Sequence, residues 1–189
     1  MVVQTAPIQK LSTRLDYEQY RALPENGNRL EVIEGELQMT AAPLVSHQRI
    51  SGNLQFILES HVRANDWGKV FAAPIEIYLS DQDFVQPDLV CIAKARLEII
   101  QDKNIVGAPD LVVEILSPST ARTDRVLKMN TYARHQVPHY WIVDPAAQTL
   151  EAFEWAQGAY RLIAARAEAE EWQPTLFPGL MIHLAELWK

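Results

Sequence analysis

Two acidic residues stand alone among apolar neighbours in this sequence, and they are its clearest pointer to chemistry. Glu114 lies in LVVEIL, between Val112-Val113 and Ile115-Leu116. An ionised carboxylate in such a run is expensive to bury without a cation beside it, either an internal Arg or Lys or a divalent metal. Asp88 lies in a second apolar strand, QPDLVCI, again as the only acid of its neighbourhood. Alone it reads equally well as a Pro-Asp turn residue. Together the two favour metal, because carboxylates brought close on neighbouring strands repel unless a proton or a hard cation lies between them.

A cation held by Asp88, Glu114 and the backbone carbonyl of Ile115 keeps positions open for water and a phosphate oxygen, which suits phosphodiester hydrolysis. Mg2+ is the expected ion, with Mn2+ as a substitute, since no His or Cys cluster adjoins these strands to prefer zinc. The reaction also calls for a cation that orients the attacking water and stabilises developing charge. Lys128 is the candidate. Asp124 precedes it by four residues, so the plainer reading is a surface Asp124–Lys128 ion pair on a helix. Tyr132, one turn further on, shares that face and reads as a contact to substrate or core.

These residues need elements to position them. Ser12 and Thr13 are suited to cap a short helix in LDYEQYRALPENGN, stopped by Pro24 and a turn at Asn26-Gly27. RLEVIEGELQMT alternates around Gly35 as a hairpin does. Ser46 is expected to cap a helix in which Ile50, Leu54, Ile57, Leu58 and Val62 recur at helical spacing. KVFAAPIEIYLS, VQPDLVCIA and PDLVVEILS read as strands in the middle of a sheet, LVVEIL being apolar enough to be covered on both faces. Ser119 and Thr120 are placed to cap a helix over about 123–135. HYWIVD is another buried strand, TLEAFEWA and AYRLIAAR form a hairpin around Gln157-Gly158, and a short helical tail follows Pro178-Gly179.

The chain has 189 residues, 48% of them hydrophobic, with a net charge of −7 and one cysteine. This size fits a flexible 1–12 segment followed by one domain over 13–189. Cys91, in LVCIA, reads as a buried small hydrophobe, without a partner for a disulfide. The first residues lack the pattern of a secretory signal, and no window approaches the ~18 apolar residues of a membrane span, so a cytoplasmic protein is expected. The acidic balance counts against nonspecific nucleic-acid binding unless metal ions supply positive charge where phosphate sits.

Gln86-Pro87-Asp88, followed by APDLVVEILSPSTARTDRVLKMNTYARHQVPHYWIVDP, resembles the Uma-two family of restriction endonucleases in the PD-(D/E)XK superfamily. The likeness runs from RLEVIEGEL through SHQRISGNL to LFPGLMIHLAELW. It implies an α/β fold with a restriction-endonuclease-like core: a mixed central β-sheet flanked by α-helices, preceded by an N-terminal hairpin and helix. It implies DNA as substrate and Asp88 with Glu114 as the acidic pair. The superfamily places a lysine two residues after the second acid, where this chain has Leu116. Similar families relocate it to the adjacent helix, which would make it Lys128. Glu31 and His47 fall on family positions as supporting residues, Glu31 as a metal contact through water, while Glu34 and Glu36 read as solvated hairpin charges and Asp110 as a turn acid. Cutting both strands of a duplex calls for a homodimer. The competing expectation is a non-cleaving DNA-binding or accessory module that keeps the fold.

Overall fold

The computed structural model describes residues 14–23, 29–40 and 43–189. Helix α1, Tyr17–Arg21, is started by Asp16, whose carboxylate accepts from the Gln19 N–H at 2.9 Å while the Gln19 side chain accepts from the Asp16 N–H at 3.1 Å. This reciprocal cap satisfies two otherwise orphaned donors. The cap expected at Ser12 and Thr13, the stop at Pro24 and the turn at Asn26-Gly27 lie outside the described residues, as does the 1–12 segment.

Strands β1, Arg29–Ile33, and β2, Glu36–Thr40, form the expected hairpin, paired from Arg29↔Thr40 to Ile33↔Glu36. Gly35 closes it with φ +77°, where an added Cβ would meet the Arg14 side chain at 2.8 Å. Helix α2, Val45–Ala64, buries Ile50, Leu54, Leu58 and Val62 as one stripe. Leu44, not Ser46, is its N-cap, and it makes no side-chain cap bond. Packing of the stripe, more than capping, therefore fixes this helix.

The segment KVFAAPIEIYLS does not run as one strand. Its halves are β3, Gly68–Ala72, and β4, Ile77–Ser80, which belong to different sheets. Pro74, which cannot donate to a ladder, lies between them. Then come β5, Asp83–Val85, β6, Leu89–Ala93, β7, Ile105–Val106, and β8, Leu111–Ile115. After β8 the chain makes a wide π-helical turn over Thr123–Lys128 that continues as α3, Met129–Arg134. The turn carries no side-chain cap; Thr120 serves the loop before it, its hydroxyl accepting from the Ser117 N–H at 3.1 Å. Strand β9, His139–Asp144, precedes the hairpin of β10, Thr149–Ala156, and β11, Ala159–Ala167. The tail adds β12, Glu171–Trp172, and β13, Ile182–His183, before a 3-10 turn over Leu184–Glu186, so the expected helical tail is reduced to that one turn.

The mixed central sheet has the order β11-β10-β9-β8-β6-β3, with β8 and β9 parallel and its other pairs antiparallel. The N-terminal hairpin supplies two of the five strands of a second sheet, β2-β1-β5-β4-β7. Strand β8 is buried along its whole length because both of its faces are covered. Leu111, Val113 and Ile115 join α2, Trp141 and Phe177 in one core, while Val112 and Leu116 join Ile33, Val85, Tyr132 and Tyr140 in another. By the two-residue period of a strand, Glu114 shares the second face. No helix among the described residues is long and apolar enough to cross a membrane.

Candidate active site

Strand pairing brings the two acids together. In the β6–β8 register Leu89 faces Val113, so continuing it by one residue sets Asp88 against Glu114. Asp88 sits just before β6 rather than inside it. Its Oδ2 accepts from the backbone N–H of Ile115 at 2.7 Å and lies 3.2 Å from His47 Nε2, and its Oδ1 accepts from Arg29 Nη1 at 2.9 Å. Burial would push this carboxyl up, but the His47 hydrogen bond, the Arg29 guanidinium and the Ile115 N–H hold it down at about 2.

Glu114 has a different shell. Its Oε1 accepts from Lys128 Nζ at 3.0 Å and from the Tyr132 hydroxyl at 2.7 Å. Complete burial outweighs Lys128, and Asp124 and Asp88 add repulsion, so the carboxyl is pushed up to about 8. Lys128 is shared. It also lies 2.8 Å from Glu31 and 3.6 Å from Asp124, and these acids keep it an ammonium despite burial that favours the neutral amine. Burial likewise raises Asp124. Glu31 accepts a further bond from the Gln86 N–H at 2.7 Å, which ties β1 to the loop carrying Asp88.

The expected surface ion pair of Asp124 and Lys128 is therefore corrected: both residues are only 2% exposed. On the π-helical turn they point at β8 instead of solvent. Tyr132, fully buried, contacts the core and Glu114. Leu116 is on the face of Glu114 but packs in the apolar core, and Lys128 reaches the acid from the neighbouring turn. Asp110 is a turn acid, bonded to the Ala93 N–H and to Arg96. Glu34 and Glu36 are exposed hairpin charges.

Arg29, Glu31, His47, Asp88, Glu114, Ile115, Asp124 and Lys128 line one cavity of about 240 Å3. Arg29 is the residue that sequence reasoning missed. The signal was present, since Arg29 and Glu31 are two apart on one strand and share a face. Asp88 and Glu114 thus each have a cation of their own, a guanidinium and an ammonium. The cavity still holds four carboxylates, Glu31, Asp88, Glu114 and Asp124, against two permanent cations, Arg29 and Lys128.

A family profile described as "Putative restriction endonuclease" matches residues 17–185. The chain belongs to this Uma2 family. Among curated proteins, an uncharacterised protein of Synechocystis sp. is 23% identical over 156 residues, 82% of this chain and 85% of the relative. Among solved structures, a crystal structure from Anabaena variabilis, titled as a putative nuclease of DUF820, superposes with a TM-score of 0.76. That match is 21% identical and covers 92% of this chain and 97% of the other, so the Uma2 chain shares its fold.

Proposed function

We propose that this Uma2 protein is a metal-dependent endonuclease that hydrolyses DNA phosphodiester bonds. The observation that supports it is the acidic crowding of the cavity: four buried carboxyl groups face two permanent cations, a crowding that raises Glu114 and Asp124 in the metal-free protein and that a divalent ion would relieve. The donor set fits Mg2+, with Mn2+ as substitute. Among the described residues no three His, Cys, Asp or Glu side chains form a ready-made cage, and Mg2+ ordinarily takes one or two carboxylates and keeps several waters.

Asp88, Glu114 and the Ile115 carbonyl would hold the ion, which when bound would polarise the phosphate and acidify a water. The protein's own groups do the rest. Asp88 is pinned by the Ile115 N–H, so its orientation does not depend on the ligand. Lys128, gathered by Glu31, Glu114 and Asp124, is held as a fixed ammonium that would orient the attacking water. Tyr132 holds Glu114 from the core side. Glu31 and Asp124 position Lys128, and His47 positions Asp88.

The test is nicking of supercoiled plasmid with Mg2+ or Mn2+. The wild type is expected to nick and Asp88→Ala is not; equal nicking by both, or by neither, rejects the proposal. A non-cleaving DNA-binding module is favoured by one observation, the apolar residue Leu116 in place of the superfamily lysine, and it predicts DNA binding without nicking.

A further inference from the structure

The charged cavity continues into a larger one. Leu44, His47, Ser117 and Pro118 line both, so the two are halves of one cleft with different chemistry. The second half, about 520 Å3, falls within the ~300–1,000 Å3 typical of small-ligand sites. Ile50, Leu116, Ala121, Pro145 and Trp188 give it apolar walls, with Asp144 and Gln148 among them as hydrogen-bonding groups. The Trp188 ring is held in place by its indole N–H, which donates to the Glu168 carbonyl at 2.7 Å.

The charge of the chain does not favour gripping a duplex by its phosphates. The net charge is −7. Arg63, Lys94, Arg96, Arg125, Arg134, Arg161 and Lys189 already pair with carboxylates of the chain. Duplex binding draws most of its strength from cations on phosphates. Stacking of a base on an aromatic or apolar wall needs no such charge and tolerates any sequence. Bases inside a duplex cannot offer a free face without leaving the stack.

We infer that the apolar half of the cleft takes an unstacked nucleobase of the strand whose phosphodiester lies at Asp88 and Glu114, so that single-stranded or locally melted DNA is the substrate class. This rests on the nuclease reading for its orientation, but binding tests it separately. Supercoiled plasmid, which melts locally, remains a substrate under it.

The experiment is fluorescence anisotropy of the full chain with Ca2+ and three labelled probes: a short oligothymidylate, an abasic strand of equal length and a blunt duplex. The oligothymidylate is expected to bind about tenfold tighter than either other probe. Trp188→Ala, which removes the aromatic wall of this half, is expected to erase the preference; its melting temperature serves as the fold control. Equal binding of the oligothymidylate and the abasic strand, a preference for the duplex, or no binding of any probe overturns the inference. Equal binding alongside Asp88-dependent nicking leaves the nuclease standing without the base site. A tenfold preference without nicking leaves the base site standing without the nuclease.

Discussion

The backbone N–H of Ile115 donates to the carboxylate of Asp88 at 2.7 Å, and this bond joins the two strands on which the candidate site depends. It orients one acid by the backbone of the residue next to the other. Glu114 and Asp88 therefore stay adjacent whatever occupies the cavity, and the cations around them, Arg29 and Lys128, arrive from β1 and from the π-helical turn.

Metal-free protein is expected to lose stability as pH rises from about 4.5 to about 8. Glu114 is pushed up to about 8 from its ordinary 4.5, and a carboxyl raised in the folded state stabilises below its unfolded pKa and stops doing so as pH passes the folded one. Asp88, held down at about 2, acts oppositely and withdraws its contribution only as pH falls below its ordinary 3.8. Thermal melts in EDTA from about pH 2 to about pH 8 check both limbs. Glu114→Gln should flatten the neutral limb and abolish the rise in melting temperature produced by Mg2+; an unchanged slope contradicts the assignment.

Lys128→Met should cost about 3–5 kcal/mol, because it strands Glu31, Glu114 and Asp124 around a site with no ammonium. Chemical denaturation measures the loss. The same variant is expected to lose nicking at temperatures where it is still folded.

Arg29→Gln should cost about 1–3 kcal/mol without metal, since it takes a charged partner from buried Asp88. It should also enlarge the stabilisation produced by Mg2+, because the guanidinium competes with the ion for that carboxylate. Melting temperature with and without Mg2+ gives both numbers; a smaller metal effect would contradict the competition.

Leu54→Ala should cost about 2–5 kcal/mol. Leu54 is fully buried between α2 and the central sheet. The variant should keep its response to Mg2+, because its face of β8 is the one opposite Glu114.

Much of the fold was legible because its signals are local. The Gly35 and Gln157-Gly158 hairpins and the stripe of α2 need only turn chemistry and periodicity. The second sheet was not, because β5 and β7 have three residues and two, too short to show a period, and β4 reads as a continuation of β3. In the site, Asp88 and Glu114 stood out as lone acids in apolar runs. Arg29 did not, since in an alternating strand an arginine reads as a solvent-facing residue. Asp124 and Lys128 have the spacing of an ordinary exposed pair, and only the packing of their turn against β8 buries them.

The most direct measurement is anomalous diffraction from crystals of the wild type soaked in Mn2+. The account predicts one strong peak between the carboxylates of Asp88 and Glu114, beside the Ile115 carbonyl, and no such peak in Glu114→Gln. A cavity without a peak, with Arg29 and Lys128 still closed on the two acids, would contradict it.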